Sequence, residues 1–294
     1  MKSLRTILVF ALTLTLIAGI GTADAWAAGY RVSFSNSEIS ITSPATNSVQ
    51  CNGVLSISGT TKLGTVYFAV RGPKQELSGY QADVVNGTFA LDINLRYGKG
   101  LYTIWAGPHP QKFDGSIRFV VENTEQQDKR NTASSYYVDS DNPAIKKLAA
   151  TLAPSGLSDM EKLRNIHDWV TANISYDCSY HESGRENLEK ASYILQKRDG
   201  VCSHYAILTA ALCRAAGLPS RIINGPASLS DSVPRVNHAW NEVQVNGQWV
   251  AVDTCWDAGY TKGNTFVPAP STRFLAPSKA VFAKTHTASL VTLY

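Results

Sequence analysis

Apolar and polar positions alternate in short runs along residues 30–123, which predicts strands rather than helices in this part of the chain. Val54–Ser58, Thr65–Val70, Leu101–Trp105 and Ser116–Val121 are clear examples, rich in β-branched and aromatic residues and separated by turn-forming residues. About seven strands in a stretch of this length favour an all-β sandwich of the immunoglobulin-like type.

One turn in this region carries a strong local signal. Asn86-Gly87 lies between Gln81–Val85 and Thr88–Asn94, which predicts a β-hairpin that joins the two strands. The aromatic residues of the region suit a core better than an exposed carbohydrate-binding platform. We therefore expect no catalytic site in residues 30–123, and an accessory role in adhesion or spacing.

The pattern changes after this region. Residues 124–134 are polar and charged without periodicity, which predicts a linker between two domains. The second domain is expected over residues 135–294. Apolar residues at helical spacing predict helices in its first part, beginning with one from Asn142-Pro143 to Ala153.

A capping signature marks the next helix. Ser158 and Glu161 form a capping box for a helix from Asp159 to about Asn173, whose buried stripe holds Leu163, Ile166 and Val170. His167 and Trp169 lie on other faces of that helix, where packing or solvent exposure is more typical than chemistry. A further helix over residues 187–197 leads to the first chemical motif.

That motif is the segment Asp199–Ala206. After a turn at Gly200, Cys202 occupies the first position of a predicted helix, which ends at Gly217-Leu218-Pro219. Unpaired N–H groups and the positive end of the helix dipole favour a thiolate at this position. Cys202 is therefore a candidate nucleophile, although a cysteine there also suits a small buried core residue.

A second turn signal, Asn246-Gly247, predicts a hairpin whose two-residue turn sets Trp240 opposite Asp253. Because side chains alternate along a strand, His238 and Asp253 then share one face as diagonal neighbours, with Cβ atoms about 7 Å apart. At that distance the imidazole and the carboxylate can form a hydrogen bond.

These residues supply the three groups that a thiol-based acyl transfer needs. Cys202 is the predicted nucleophile, His238 the base that takes its proton, and Asp253 the group that fixes the imidazole tautomer. Two alternatives stay open. Cys255 directly faces His238 in the same register but lacks the help of a helix terminus. Asp257 lies beyond the pairing and could replace Asp253.

The tetrahedral intermediate of this chemistry needs hydrogen-bond donors for its oxyanion. The backbone N–H of Cys202 is the natural first donor. Gln196, a short way before the cysteine, is the candidate for the second, although it also suits an ordinary helix end. Tyr176 and Tyr180 are weaker candidates.

Several separate sequence blocks of the second domain resemble the transglutaminase-like superfamily of papain-type cysteine enzymes and follow the order that the family has. The resemblance covers about residues 135–260 and implies an α+β fold of the papain-like/transglutaminase-like class, with Cys202, His238 and Asp253 as the triad. His204 departs from the glycine that many members carry, which bears on how the substrate enters. The resemblance rests on Lys162–Val170, Ile174–Asp177, Gly200–Cys202, Ala215–Arg221, His238–Val243 and Val252–Asp257.

The resemblance also implies an activity. It is acyl transfer from a peptide or protein amide through a Cys thioester, either to water (protease or amidase) or to an amine (protein crosslinking). Several bacterial members resemble hydrolases, which favours the first outcome. No metal, nucleotide or redox cofactor is expected. The alternative from a different class is a non-catalytic cell-surface binding module on the same fold.

The start of the chain predicts export. Lys2 and Arg5 precede a mostly apolar run, Ile7–Ile20, and small residues follow, which is typical of a secretory signal peptide over residues 1–25. The net charge of +4, without a dense basic run, suits an anionic cell wall and argues against nucleic acid. We therefore expect a secreted or cell-wall-associated protein that acts on protein or peptide substrates. No integral membrane association is expected after cleavage.

The number of cysteines in the chain is odd. An exported chain with 5 cysteines has at least one free thiol unless it bridges another chain, and a nucleophilic Cys202 accounts for one. Pairing among the others stays open; they are Cys51, Cys178, Cys213 and Cys255.

Overall fold

The computed structural model describes residues 32–180, 188–230 and 232–292. The described chain divides into two compact units, with the boundary between Arg130 and Asn131. Among the described residues the first unit contains strands without helices, whereas the second mixes both, so the chain is α+β. The predicted signal peptide lies outside the described residues. Within the described part of the chain, no helix combines the length and apolar character needed to cross a membrane.

The described strands of the first unit form two sheets, one of three strands and one of five. The strands are β1 (Ile39–Ser43), β2 (Val49–Cys51), β3 (Val54–Thr61), β4 (Thr65–Arg71), β5 (Leu77–Asp83), β6 (Thr88–Asn94), β7 (Gly100–Gly107) and β8 (Ile117–Asn123). The strand orders are β1-β3-β6 and β2-β8-β7-β4-β5.

The two sheets pack through their apolar faces because side chains alternate along each strand. In β3, for example, Leu55 and Ile57 are buried and Val54 is exposed. The rings of Phe68 in β4 and Phe89 in β6 lie 6.0 Å apart and connect the two sheets. The immunoglobulin-like class of this unit stays a prediction.

The predicted hairpin around Asn86-Gly87 is wrong beyond its turn. Both turn residues have positive φ angles, 53° and 75°, and Val85 bridges Thr88 across them. However, β5 pairs with β4 and β6 pairs with β3, so the turn carries the chain from one sheet to the other. An Asn-Gly pair fixes the local backbone only, whereas burial of each apolar face selects the partner strand.

The boundary between the two units falls within residues 124–134, the predicted linker, and the backbone of this segment forms hydrogen bonds on both sides of the boundary. In the first unit, the N–H of Lys129 donates to the carbonyl of Arg96 at 2.8 Å. In the second, the carbonyl of Asn131 accepts from the N–H of Ser220 at 2.8 Å. Composition showed the polarity of the segment but not the partners that its backbone finds.

The second unit begins with helices and continues with alternating helices and strands. Its main sheet has the strand order β13-β12-β11-β16. Two further sheets have two strands each, β9 with β10 and β14 with β15. The elements are α1 (Pro143–Leu152), α2 (Asp159–Asn173), β9 (Ser175–Tyr176), α3 (Ala191–Lys197), β10 (Asp199–Gly200), α4 (Cys202–Ala215), β11 (Ser220–Ala227), β12 (Val236–Val245), β13 (Gln248–Val252), α5 (Thr254–Ala258), β14 (Gly259–Lys262), β15 (Thr265–Pro268), α6 (Lys279–Phe282) and β16 (Leu290–Thr292).

The capping signals at the first two helices predicted their bounds correctly. The Asn142 side chain caps α1, and Ser158 and Glu161 make both halves of the capping box of α2. The predicted stripe of α2 is buried, including Leu163 and Ile166. Local capping chemistry is therefore enough to place these two helices.

Helix α3 begins later than the predicted residue 187, at Ala191. The N–H of Ala191 donates to the carbonyl of Tyr137 at 2.8 Å, and the N–H of Ser192 donates to the Asp139 carboxylate at 3.0 Å. These acceptors, far away in sequence, satisfy the free N–H groups of the first turn and fix where the helix starts.

Helix α4 is the central element of the second unit. Every residue from His204 to Arg214 is buried. The Asn241 side chain on β12 donates to the carbonyl of Ala206 at 2.9 Å and holds the helix against the sheet. This enclosure fixes the first residue of the helix, Cys202, beside β12.

Candidate active site

Cys202 is the first residue of α4 and is partly exposed. The turn before it requires glycine, because a Cβ atom at Gly200 would lie 2.6 Å from the Cβ atom of His204. The imidazole of His204 in turn accepts the N–H of Val201 at its Nδ1 atom, at 3.1 Å. The close turn thus leaves the Cys202 thiol at the open end of the helix, where the dipole favours a thiolate.

Strands β12 and β13 pair in the predicted register as far as Val252. Beyond that residue the register prediction is wrong, because Asp253 leaves the strand and caps α5 rather than facing Trp240. Its Oδ1 atom accepts the N–H groups of Cys255 at 3.0 Å and Trp256 at 3.1 Å. These capping bonds turn the chain out of the sheet, which a hairpin register does not anticipate.

His238 on β12 nevertheless meets Asp253. The imidazole Nε2 lies 2.7 Å from the carboxylate Oδ2, and the two side chains are 4% and 1% exposed. The ring of Trp256 stacks on His238 with centroids 4.6 Å apart. Burial opposes the charged imidazole, but the charge and hydrogen bond of Asp253 outweigh it and raise the pKa of His238 to about 10. Burial likewise opposes the carboxylate, yet His238 holds the pKa of Asp253 far below its usual range.

The third member of the cluster, Cys202, contacts the same imidazole. Because Nε2 is bound to Asp253, Nδ1 is the ring nitrogen left for the hydrogen bond between His238 and the thiol. The backbone N–H of Ala239 also donates to the sulfur. Burial raises the pKa of the Cys202 thiol, but His238 and the Ala239 N–H outweigh it, so the pKa lies below the ordinary value. The structure therefore favours a thiolate–imidazolium pair.

The structure places Cys255 and Asp257, the alternatives to Cys202 and Asp253, outside hydrogen-bonding contact with the His238 imidazole. Cys255 lies inside α5 rather than opposite His238, and burial raises the pKa of its thiol well above the usual value. Asp257 accepts from the Nε2 atom of His167 at 3.0 Å and from the N–H of Phe274 at 2.8 Å. Both alternatives are wrong, because neither residue contributes to the hydrogen bonds of the imidazole on β12.

The three oxyanion candidates differ in position. Gln196 is exposed in the last turn of α3, and its side chain makes no hydrogen bond among the described residues. Burial raises the pKa of Tyr176, and the nearby charges of Cys255 and Cys202 raise it further. Tyr180 is buried with its ring edge-on to His204, at 5.3 Å between centroids. Of the three, Tyr176 is the one whose strand pairs with the turn before the candidate nucleophile, opposite Gly200.

The structure adds a second histidine that sequence reasoning missed. The Nε2 atom of His286 lies 3.1 Å from Asp253 Oδ2, the same oxygen that His238 contacts. His286 is buried in the C-terminal tail, where no periodic pattern predicted an element. Its only signal in the sequence was the residue type itself.

His238, Asp253 and His286 bring three potential metal-binding atoms within 4.8 Å of one another. Both histidine Nε2 atoms are directed at one carboxylate oxygen, however, and the whole group is buried. Each Nε2 atom therefore carries a proton in a hydrogen bond and has no lone pair for an ion. The residues form a hydrogen-bonded group and do not fit a metal site.

The 5 cysteines of the chain all lie in the described residues, and all are free. The four cysteines outside the candidate site therefore form no disulfide with one another in this structure. Cys213 is fully buried in α4, and burial raises the pKa of its thiol to about 12. The contrast with the depressed pKa of Cys202 sets the candidate nucleophile apart from a core thiol.

A second histidine–carboxylate pair anchors α5 to α2. His167 is fully buried, with Nε2 at 3.0 Å from Asp257 and Nδ1 at 2.8 Å from Asp168. Burial lowers the pKa of His167, but the two carboxylates outweigh burial and raise it above the usual value. The expectation that His167 is structural agrees with this position. The pair fixes the short helix that Asp253 caps.

Residues 146–254 match the family model described as the transglutaminase-like superfamily, so this part of the second unit is a transglutaminase-like domain. The matched range includes Cys202, His238 and Asp253. His286 lies outside it.

Two relatives match a similar part of the chain. Mouse (Mus musculus) kyphoscoliosis peptidase is 28% identical over 127 residues, which are 41% of this chain and 19% of that protein. The human (Homo sapiens) protein of the same name is 27% identical over 121 residues, 39% of this chain and 18% of that protein. The chain thus spans about a fifth of the length of these curated relatives. Among solved structures, the ethylmercury-bound periplasmic domain of TgpA from Pseudomonas aeruginosa aligns with 71% of this chain and 74% of its own, at 15% identity and a TM-score of 0.34.

The anchor between α2 and α5 predicts a pH-dependent stability. Because the pKa of folded His167 lies above its ordinary value of about 6.5, its stabilising effect is complete below that value and is lost as the pH rises through the folded-state pKa. Urea unfolding of His167→Gln and of the wild type should therefore differ most at pH 6, with a smaller difference at pH 9. The exposed His109 serves as the control, because His109→Gln should unfold like the wild type at both pH values. A His167→Gln difference that grows with pH would contradict the assignment.

Proposed function

We propose that the transglutaminase-like domain is a cysteine enzyme that transfers the acyl group of a peptide or protein amide through a thioester on Cys202. The observation that carries this proposal is the continuous hydrogen-bonded line from the Cys202 thiol through His238 to Asp253. Two members of the line are buried, whereas Cys202 is partly exposed. A substrate carbonyl can therefore reach the sulfur, while the groups that activate it are shielded from water.

The first half of the reaction forms the thioester. The Cys202 thiolate attacks the amide carbon, and the carbonyl oxygen becomes an oxyanion. When the carbon–nitrogen bond breaks, the His238 imidazolium gives its proton to the departing amine. Asp253 keeps the imidazole ring oriented and stabilises its positive charge before that transfer.

The second half releases the acyl group. Neutral His238 takes a proton from water or from an incoming amine, whose oxygen or nitrogen attacks the thioester carbon. The carbon–sulfur bond then breaks and Cys202 leaves as the thiolate. Water yields a carboxylic acid, as in a protease or amidase, and an amine yields a new amide, as in crosslinking.

The oxyanion needs donors close to the sulfur. We assign the backbone N–H of Cys202 as the first, because it belongs to the unpaired first turn of α4. We assign Tyr176 rather than Gln196 as the second donor, because Tyr176 pairs with Gly200 in the turn before Cys202, whereas Gln196 is exposed.

Export and a peptide substrate complete the proposal. The segment over residues 1–25 has the composition of a signal peptide, which supports action on a protein or peptide at the cell surface or wall. The name of the mouse and human relatives, a peptidase, supports hydrolysis rather than crosslinking as the outcome. No partner beyond this substrate is proposed.

Alkylation with iodoacetamide tests the nucleophile directly. Because the pKa of Cys202 is lowered, its peptide should be alkylated at pH 6 faster than those of Cys51 and Cys178, as followed by mass spectrometry. His238→Ala should remove this advantage, since the partner of the thiolate is lost. A Cys202 rate that rises only near pH 8.5 would instead favour a non-catalytic binding module on the same fold.

Product analysis distinguishes the two enzymatic outcomes. A glutamine-containing peptide, incubated with and without a primary amine, should yield cut or deamidated peptide and little amine adduct. Cys202→Ala should abolish both products. A dominant amine adduct would contradict the hydrolase assignment and leave the thioester chemistry intact.

The second oxyanion donor has its own test. Tyr176→Phe removes the hydroxyl and should lower kcat by about 10²-fold, because one donor to the intermediate is lost. The matched control is Gln196→Ala, which should keep the wild-type kcat. If the glutamine variant lost the activity and the tyrosine variant did not, the assignment would be reversed.

A further inference from the structure

His286 reaches the site from the C-terminal tail, outside the range of the family match. Its backbone N–H donates to the carbonyl of Phe282, the last residue of α6, at 3.0 Å. His286 also bridges Ala227 at the end of β11, and the next N–H, of Thr287, donates to the carbonyl of Pro226 at 3.0 Å. The tail is therefore fastened on both sides of this histidine, which fixes where its imidazole lies.

The imidazole of His286 completes the set of donors around Asp253. Two backbone N–H groups occupy the Oδ1 atom, and the Nε2 atoms of His238 and His286 share Oδ2, at 2.7 and 3.1 Å. An ionised carboxylate offers about four acceptor positions, and here all of them are used. Because the carboxylate is fully enclosed, a lost donor has no ready replacement by solvent.

The environment of Nδ1, the second ring nitrogen of His286, bears on which nitrogen carries the proton. Nδ1 lies 2.8 Å from the Thr285 hydroxyl, which can donate its single proton there or to the Phe282 carbonyl at 3.1 Å. Burial lowers the pKa of His286 and, together with the nearby His238 charge, outweighs the Asp253 carboxylate, which raises it. The ring is therefore neutral, with Nε2–H donating to Asp253 and Nδ1 accepting from Thr285.

The side chains in contact with the His286 ring are mostly aromatic among the described residues. Asp253 and His238 are the titratable groups that contact it among the described residues. Two arginines lie further out: Arg273 is 5.0 Å from the Phe274 ring centroid, and Arg235 donates to the Thr287 hydroxyl at 3.1 Å. The remaining contacts are aromatic. Phe282 stacks in parallel at 3.9 Å, and the others are Trp240 at 5.0 Å, Trp256 at 4.6 Å and Phe274 at 5.3 Å between centroids.

We propose that His286 is a positioning residue of the active site, which holds Asp253 through a neutral Nε2–H donor and moderates the hold of that carboxylate on His238. The proposal rests on the acyl-transfer function proposed above. A donor that shares Oδ2 withdraws part of the charge that would otherwise stabilise the His238 imidazolium. The imidazolium thus keeps enough acidity to protonate the departing amine, which a carboxylate bound to it alone would oppose.

The pH profile of Cys202 alkylation tests this role without a known substrate. In His286→Phe the donor is lost but an aromatic ring remains, so Asp253 should stabilise the imidazolium more strongly. The alkylation midpoint of Cys202 should then move down by about one pH unit. His286→Gln can still donate from its amide and should keep the wild-type midpoint within about 0.3 units.

Two further variants separate positioning from packing. Thr285→Val removes the hydroxyl that fixes the tautomer and should move the midpoint in the same direction by about half a unit. Phe282→Leu disturbs the aromatic enclosure alone and should lower the urea midpoint without moving the alkylation midpoint. If His286→Phe does not fold, the Thr285→Val comparison decides the question.

The outcomes distinguish this proposal from the proposed function. Equal midpoints in the wild type, His286→Phe and Thr285→Val would overturn the role of His286 and leave the nucleophile intact. If the alkylation midpoint shifted as much in Phe282→Leu as in His286→Phe, His286 would act only through packing, and the proposed positioning role would also be overturned. An ordinary thiol profile for Cys202 in the wild type would instead overturn the acyl-transfer function itself.

Discussion

The buried carboxylate of Asp253 is the group on which the rest of the site depends. A charge removed from water is costly unless hydrogen bonds and an opposite charge replace the lost solvation. Asp253 meets this requirement by accepting from the first turn of α5, from His238 on β12 and from His286 in the tail. One side chain thus fixes a helix start, a strand and the end of the chain relative to one another.

Helix α5 is short, and two carboxylates four positions apart connect it to the rest of the second unit. Asp253 precedes the helix and pairs with His238, whereas Asp257 lies within it and pairs with His167 on α2. Each pair is buried, so each excludes the water that would compete for its hydrogen bonds. The His238–Asp253 and His167–Asp257 pairs together fix the orientation of the His238 imidazole. Helix α4 places the Cys202 thiol beside the Nδ1 atom of that imidazole.

Local chemistry in the sequence was sufficient for much of this architecture. The capping box at Ser158, the glycine turn before Cys202 and the Asn246-Gly247 hairpin each act within a few residues, and each predicted its element correctly. The pairing of His238 with Asp253 followed from the register, although Asp253 reaches it as a helix cap rather than as a strand residue.

Contacts between distant segments were not predictable in the same way. Asn86-Gly87 gave the right turn and the wrong strand partner, because the partner depends on how two sheets bury their faces. His286 had no pattern around it, since its position depends on the ends of α6 and β11 and on Asp253 together. Such placements require the assembled core and are invisible to any rule that spans only a few residues.

Cys202 and His238 form the thiolate–imidazolium pair on which the proposed chemistry depends, and Asp253 sustains it. Nitrogen-15 NMR of the histidine side chains tests it most directly, because it reports the protonation of each ring nitrogen separately. His238 should be doubly protonated at pH 7.5 in the wild type, and its pKa should fall in Cys202→Ala, since the negative partner is removed. A neutral His238 at that pH, titrating near its ordinary pKa in both proteins, would contradict the account.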